Sequence, residues 1–415
     1  MKTYQILIAA LFVILAACQP SEDLKPIEPN LRTLSAAEVE MSDASGKFAL
    51  DLFQQLYDPA KTNQFFSPYS IHQALSMTMN GNEGDVLEEF VDVLRYGNIS
   101  LDQANAGSRD LRKFLLQVDP KVKLAIANAI WYKKEYQVQV PFKQTAQDYY
   151  DAEIAGLDML DPQSVNIIND WIEKQTNNLI QDMLDRIPEN AVMYLVNAIY
   201  FKADWKYQFE AKNTKNEPFF PAPGQSIQVD MMDLGKASTF KVAFANGFQY
   251  IEIPYSTGQY SMGVLYHPQG NINEIAQLVN WENIQSWRRN STETNLILKM
   301  PKFKLRQKMD NMKDDLIEMG LVKPFSFSRE NFTKLFSNPT DELKISRVIH
   351  DAMIEVDEKG SEAAAATVVE VVEKTSAGPP VPQVLVLDKP FIFFIQEKHS
   401  GAILFMGKLG NPSIN

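Results

Sequence analysis

The chain has 415 residues, of which 45% are hydrophobic and 11% aromatic, so it can bury a large packed core. Its formal net charge of −12 at pH 7 argues against a general affinity for nucleic acid or for anionic membrane surfaces. Cys18 is the only cysteine, so no disulfide can form within one chain and stability must come from packing.

The first element is a short apolar segment, residues 6–17, that follows Lys2. It is too short to span a bilayer and has the length of the apolar region of a secretory signal. The sequence L-A-A-C at Cys18 resembles a bacterial lipoprotein signal. The resemblance implies a signal peptide at 1–17 and a mature N-terminus at Cys18, acylated for example with palmitate. Gln19 favours the outer membrane, so we expect a cell-envelope lipoprotein, periplasmic or surface-exposed.

Residues 18–43 are polar and contain prolines, and we interpret them as a tether. Helical periodicity begins with a predicted helix over 44–58. A short strand at 63–66 then leads into a helix that starts at the Ser67–Pro68 pair, a typical N-terminal helix signal. We therefore place a single folded domain at 44–415.

The remaining elements indicate an α+β fold, with helices mainly early and strands dense later. Further helices are predicted at 71–79, 86–94, 166–184 and 309–319. Strands are predicted at 122–132, 191–201, 295–303, 384–387 and 390–409, with shorter ones near Met231, Phe240, Ile251 and Ser261.

Patterns typical of catalysis or metal binding are missing from the sequence. There is no phosphate-binding glycine loop, no H-E-x-x-H and no G-x-S-x-G. The histidines lack metal-ligand spacing, and the lone cysteine is assigned to the lipid anchor. These absences disfavour an enzyme, and the sequence indicates neither a metal nor a cofactor.

The segment at 355–382 combines the flanks of a loop with the side chains of a strand. Every second residue from Ser361 to Val371 is small or β-branched and uncharged, which suits one face of a sheet interior. Gly360 gives conformational freedom at the start, and residues 374–380 are typical of an accessible loop. Two locations are therefore plausible for this segment, a surface loop and a sheet.

Nine short motifs, taken in order along the chain, resemble those of the serpin family. They are F-F-S-P-Y-S-I at 65–71, A-N-A-I-W at 127–131, N-x-W-I at 169–172, V-N-A-I-Y-F-K-A-x-W at 196–205, E-I-P-Y at 252–255, P-K-F at 301–303, M-G at 319–320, H-x-x-x-I-E-V-x-E-K-G-S-E-A-A-A-A-T at 350–367 and F-M-G-K-x-x-N-P at 405–412. Each motif is weak alone, but together they cover nearly all of 44–415.

The resemblance implies a fold of three β-sheets with about eight to nine helices and an exposed reactive-centre loop at about 358–382. It also implies irreversible suicide inhibition of serine proteases, in which the protease forms an acyl-enzyme with the loop. The cleaved loop then inserts into the main sheet of a metastable molecule. The alternative is a non-inhibitory serpin that acts as a binding or structural lipoprotein of the envelope.

The resemblance further assigns a hinge and a reactive bond within this loop. The hinge residues are Glu358, Gly360, Ser361, Glu362, Ala363, Ala364, Ala365, Ala366 and Thr367. Their small side chains suit rapid entry into a packed sheet, whereas a charge or proline on the inward face should stall insertion. Family spacing places the cleaved bond at Lys374–Thr375, which favours trypsin-like proteases. Cleavage after Val371 or Val372, for an elastase-like enzyme, and cleavage at Thr375 or Ser376 stay open.

Other positions match the family's conformational machinery. Ser67, Ser70, Asn197 and His350 match a polar switch cluster beneath the opening sheet. Glu358 matches a hinge glutamate, for which Lys302 is the expected partner, and Trp205 matches a tryptophan at the top of the sheet, where insertion begins. Asp351 departs from the lysine that many relatives have after the histidine.

The expected partners are therefore serine proteases, with cysteine proteases open as further targets. We expect a monomer that does not bind nucleic acid and that meets the membrane through the lipid at Cys18. No basic cluster in the sequence indicates a polyanion cofactor.

Overall fold

The computed structural model describes residues 27–188, 191–245, 247–337, 342–361 and 382–414. The helices in these ranges are α1 (Ala36–Leu56), α2 (Pro68–Met79), α3 (Gly84–Val93), α4 (Leu101–Gln117), α5 (Val140–Tyr150), α6 (Gln163–Gln175), α7 (Ile272–Leu278), α8 (Trp281–Asn290) and α9 (Lys313–Glu318). The strands are β1 (Gln64–Phe66), β2 (Lys123–Lys133), β3 (Ala152–Leu157), β4 (Met193–Asp204), β5 (Lys215–Phe219), β6 (Ile227–Asp233), β7 (Ser238–Ala245), β8 (Phe248–Pro254), β9 (Tyr260–Tyr266), β10 (Thr292–Pro301), β11 (Phe303–Met309), β12 (His350–Val356), β13 (Gly360–Ser361), β14 (Gln383–Val386), β15 (Phe391–Glu397) and β16 (Ile403–Leu409). This content confirms the predicted α+β class.

The smaller of two hydrogen-bonded strand networks is a six-stranded sheet with the order β11-β12-β13-β4-β2-β3. Its longest ladder is the antiparallel pairing of β2 with β4, from Lys123 opposite Lys202 to Tyr132 opposite Met193. The apolar runs of these two strands predicted their central position correctly. The two-residue strand β13 lies between β12 and β4 and is antiparallel to both.

The larger network has ten strands in two groups that share β10. The first half of β10 pairs with β7, which leads through β8, β9, β15 and β16 to β1. Its second half pairs with β6 and, in parallel, with β14, which follows the predicted reactive loop in the chain. With the six-stranded sheet, these two groups give the three-sheet arrangement implied by the resemblance.

The main core lies between the sheets and the helices, with α2 at its centre. Every residue of α2 is buried, and Ser67 caps its N-terminus by accepting from the Ser70 N–H. A second, smaller core lies beneath α6, where Ile168 and Ile172 contact the apolar outer faces of β2 and β4. Within the described ranges, none of the helices has both the length and the apolar character that a membrane crossing requires.

The folded region begins earlier than the tether boundary at residue 43 predicted. Helix α1 starts at Ala36, where Ser35 and Glu38 form a reciprocal capping box. Glu38 is buried against Arg32, and Met41 lies in the main core. Residues 36–43 therefore belong to the domain, and their small and polar side chains concealed the helix from a search for apolar periodicity.

Two predicted helices also end or begin elsewhere. The helix predicted at 166–184 stops at Gln175, because Asn177 and Asn178 adopt positive φ angles of 52° and 63°, which a right-handed helix excludes. The helix predicted at 309–319 is only α9, because the chain up to Met309 continues β11 alongside β12.

Candidate functional site

The predicted hinge begins with a short strand that pairs with a neighbouring strand on each side. Ser361 lies opposite Val356 of β12 and Ala203 of β4, and Gly360 lies opposite Asp204. A Cβ atom on Gly360 would lie 2.0 Å from the carbonyl oxygen of Ala203, so only glycine permits this approach. The chain therefore enters the six-stranded sheet at this point.

A tight turn that begins at Asp357 connects β12 to β13. The Asp357 carboxylate accepts from the backbone N–H groups of Lys359 at 2.8 Å and Gly360 at 3.1 Å. The Asp357 N–H in turn donates to the Gly360 carbonyl at 3.0 Å. Trp205 holds the turn from the other side, because its indole N–H donates to the Asp357 carbonyl at 2.9 Å and its backbone N–H to the Lys359 carbonyl at 2.6 Å.

Glu358 has two side-chain partners at the turn. Its carboxylate lies 3.0 Å from the ammonium of Lys302, the expected partner, and accepts from the Thr214 hydroxyl at 2.7 Å. Burial alone would raise the pKa of Glu358, but the hydrogen bonds from Thr214, the backbone and Lys302 together hold that pKa below its ordinary value. Glu358 is therefore anchored as a carboxylate.

Tyr255 completes the top of the site. Its ring stacks on Trp205 with a centroid distance of 4.2 Å, and its hydroxyl lies 2.8 Å from the Ser361 hydroxyl. Burial raises the pKa of Tyr255 well above the ordinary value, so the phenol stays neutral and can hydrogen bond. Sequence reasoning missed Tyr255 as a site residue, although it ends the E-I-P-Y motif.

The four predicted switch residues form one buried cluster. Ser67 donates from its backbone N–H to His350 Nε2 at 2.9 Å and from its hydroxyl to the Leu404 carbonyl at 2.7 Å. The Ser70 hydroxyl donates to Asn197 Oδ1. These bonds connect the start of α2 to β4, β12 and β16.

Asn128 extends the cluster and was not predicted. Its side-chain oxygen accepts from the Asn197 amide, and its own amide donates to the Tyr150 carbonyl at 2.9 Å. The A-N-A-I-W motif contains this asparagine, but in a strand pattern it resembles any polar residue. The contact with Asn197 arises because the two residues are directly opposite in the β2–β4 ladder.

His350 is held in its neutral form. It is buried, and burial lowers its pKa to about 4 because the charged imidazolium would lose its hydration. Neutrality is also required by its contact, since Nε2 accepts the Ser67 N–H.

Asp351, which stands where many relatives have a lysine, forms an ion pair with Arg306. The Arg306 guanidinium lies 2.8 Å from the buried Asp351 carboxylate and also donates to the Gln181 carbonyl at 2.8 Å. Burial raises the pKa of Asp351, and Arg306 opposes that rise. Lys308, directly opposite in the β11–β12 ladder, adds a second positive charge nearby.

The strand Gly360–Ser361 and the switch cluster contact opposite ends of β12. Val356 meets Ser361 at one end and His350 contacts Ser67 at the other, a separation of about 20 Å for a strand of this length. A strand that continued from Ser361 would therefore pass along β12 towards the switch cluster.

Several predicted site residues lie outside the described ranges. They are Cys18, Glu362, Ala363, Ala364, Ala365, Ala366, Thr367, Lys374 and Thr375. Among the residues that the structure does describe, no group of histidine, cysteine or acidic side chains has a metal-binding arrangement.

Comparisons with known proteins agree on one family. The family model described as serpin (serine protease inhibitor) matches residues 43–412. A serpin-like protein of Methanosarcina acetivorans is 31% identical, covering 99% of this chain and 96% of its own length. Mouse antithrombin-III is also 31% identical, covering 91% and 82%. The crystal structure of tengpin, a thermophilic serpin in its native state, has a TM-score of 0.80 at 28% identity, covering 94% of this chain and 97% of tengpin.

Proposed function

Since this chain belongs to the serpin family, whose members are generally protease inhibitors rather than enzymes, we propose that it inhibits serine proteases irreversibly as a suicide substrate. The protease serine attacks the Lys374 carbonyl carbon, and the amine of Thr375 leaves with a proton. The resulting acyl-enzyme stays tethered to the cut loop while that loop enters the six-stranded sheet.

One observation carries this proposal. Gly360 and Ser361 already form an antiparallel strand between β12 and β4, which is the position and direction that an inserting loop requires. The Trp205 and Tyr255 contacts fix this starting point. After cleavage, insertion can therefore extend an existing ladder and does not have to nucleate a new strand.

The preferred target is a trypsin-like protease, because the Lys374 ammonium complements an acidic specificity pocket. The segment that follows Lys374 is long for the family, so cleavage after Val371 or Val372 is the competing assignment. That register would instead suit an elastase-like protease. We further propose that acyl chains on Cys18 anchor the inhibitor at the outer membrane, where it protects the cell envelope.

The test is incubation of the purified chain with trypsin, followed by denaturing electrophoresis and mass spectrometry. We expect a covalent complex that survives SDS and a released peptide that begins at Thr375. Lys374→Ala should abolish the complex with trypsin. If the wild-type chain yields only cleaved product with both trypsin and elastase, serine protease inhibition is excluded and the non-inhibitory alternative stands. A peptide with another first residue would move the reactive bond.

A further inference from the structure

Two buried polar stripes face each other between α2 and α4. Their members are spaced three or four residues apart, so each stripe occupies one face of its helix. The α2 stripe, which ends at the helix cap, is Tyr69, Gln73, Ser76 and Asn80, and the α4 stripe is Asn105, Ser108 and Arg112. All except Asn80 are buried, which is unusual for polar side chains and requires that each finds a partner.

At one end of the two stripes, the polar side chains have hydrogen-bond partners. Asn80 and Asn105 exchange two side-chain hydrogen bonds of 2.9 and 2.7 Å, and the Tyr150 hydroxyl donates to Asn105 at 2.8 Å. In the middle, the Ser76 and Tyr96 hydroxyls are 2.6 Å apart. Asn80, the last residue of the α2 stripe, thus contacts Asn105, the first residue of the α4 stripe. The two stripes therefore run in opposite directions, and Tyr69 lies near Arg112.

At this other end four buried polar atoms lack a hydrogen-bond partner among the described residues. They are Tyr69 Oη, Gln73 Nε2, Gln73 Oε1 and Arg112 Nε. The side chains of Tyr69 and Gln73 are fully buried, and Arg112 is 5% exposed. Leaving such buried atoms unsatisfied is costly, so a component other than these side chains should complete the site.

The chemistry of the four atoms favours a negative component. Three of them carry hydrogens to donate, and only Gln73 Oε1 cannot. The carboxylate contact of Arg112 is a 3.3 Å approach from Nη1 to Asp151, whose side chain is 76% exposed, so the buried guanidinium is weakly neutralised. Burial raises the pKa of Tyr69, and the nearby Arg112 charge opposes that rise, so the phenol remains a neutral donor close to a positive charge.

We propose that Tyr69, Gln73 and Arg112 bind a small monovalent anion of the halide class between α2 and α4. A single halide accepts from Arg112 Nε, Tyr69 Oη and Gln73 Nε2 together and neutralises the guanidinium. A polyatomic anion would bring further acceptor oxygens, whereas among the described residues only these three unpartnered buried donors lie at this end of the stripes.

The site has a structural consequence at the start of α2. Tyr69 lies between Ser67 and Ser70, which connect α2 to the sheet through His350 and Asn197. A bound anion would therefore join α2 to α4 at a residue adjacent to Ser70 in the chain and stabilise the uncut molecule. Only this consequence rests on the proposed inhibitory function, since anion binding itself involves no protease.

The test compares unfolding of the full chain in sodium chloride, sodium bromide and sodium gluconate at one ionic strength. We expect chloride and bromide, but not gluconate, to raise the urea midpoint. At ten times the dissociation constant the folded-to-unfolded ratio should increase roughly elevenfold. Tyr69→Phe, which keeps the ring packing, and Arg112→Gln should both lose this halide difference.

Arg109→Gln provides the matched control, because it removes the same charge from the same helix at a partly exposed position. It should keep the full halide difference. Bromide-soaked crystals should show an anomalous peak within hydrogen-bond distance of Arg112 Nε. The proposal is overturned if halides and gluconate give equal midpoints, if Tyr69→Phe and Arg112→Gln keep the difference, or if the density at Arg112 has no anomalous signal and is water alone.

Discussion

The switch cluster depends on a histidine that must remain neutral. Because the pKa of His350 is about 4 in the folded chain and about 6.5 when exposed, the folded state binds fewer protons between these values. The free energy of unfolding should therefore fall as the pH is lowered through this window. For one such histidine the loss between pH 7 and pH 5 is on the order of 2 kcal/mol. Urea midpoints measured across this range provide the check.

A second buried histidine, His72, should contribute to the same pH dependence of stability, and its contribution has to be distinguished from that of His350. His72 also has its pKa lowered to about 4 by burial, although its ring contacts the Leu94 carbonyl on α3's C-terminal cap and not the sheet. His350→Gln should reduce the slope of stability against pH by about half, and the double variant with His72→Gln should nearly remove it. A slope that His350→Gln leaves unchanged would contradict the assignment.

Glu358 offers a test of the hinge anchor at the scale of one ion pair. Lys302→Met keeps the aliphatic stem but removes the ammonium 3.0 Å from the Glu358 carboxylate. Because Lys302 is partly exposed, we expect a loss of about 1 kcal/mol or less, seen as faster limited proteolysis of the segment at 355–382. Lys304→Met is the control, since Lys304 forms an equally short pair with Glu355 on the open surface of the same sheet. Equal proteolysis rates for the two variants would show that the Lys302 contact does not restrain the hinge.

At the scale of elements, the two-residue strand β13 has the strictest packing requirement. Gly360→Ala places a methyl group against the Ala203 carbonyl, and Gly360→Val adds two more carbons. Such overpacking costs about 1–3 kcal/mol and should displace the strand from between β12 and β4. We expect a larger fraction of chain to be cleaved without forming the trypsin complex, increasing from alanine to valine.

The neighbouring exposed residue supplies the comparison for β13. Lys359→Ala leaves the backbone bond to Trp205 intact and should give the wild-type ratio of complex to cleaved chain. If Gly360→Val also gave that ratio, the close approach of β13 to β4 would have no part in inhibition.

The sequence predicted elements well where the apolar pattern is local and complete. It identified β2, β4 and the start of α2, because their apolar runs and the Ser67–Pro68 signal do not depend on distant residues. It missed α4, whose buried face includes Asn105, Ser108 and Arg112 and so lacks a continuous apolar stripe. The same polar burial that hid this helix makes up the proposed anion site.

Site residues follow a similar division. The hinge, the switch cluster and the Lys302 contact were named from motifs, and the structure brings the described members of each group together. Tyr255, Thr214 and Asn128 were not named, because their roles depend on strand register and on contacts across the fold. The register between distant strands has no local sequence signal, so these partners can be identified only from the structure.

At the scale of the whole molecule, the two-residue strand β13 lies at the centre of the six-stranded sheet's order. β12 and β4 run in the same direction on either side of β13, and β13 is antiparallel to both. Hydrogen bonding in this order continues only if further residues follow Ser361 between the same two strands. The small alternate residues Ala363, Ala365 and Thr367 suit that position.

Cleavage of the loop should therefore stabilise the whole molecule. Each backbone hydrogen bond added by an inserted strand contributes about 1 kcal/mol, so a full strand should raise the melting temperature by more than about 10 °C. The measurement is calorimetry before and after limited digestion with trypsin under conditions that cut only the loop. Thr367→Glu is the control, because a charged side chain on the inward face blocks insertion without preventing cleavage and adds no new trypsin site. Its melting temperature should stay the same after cutting, whereas an unchanged melting temperature in the cleaved wild-type chain would refute strand insertion.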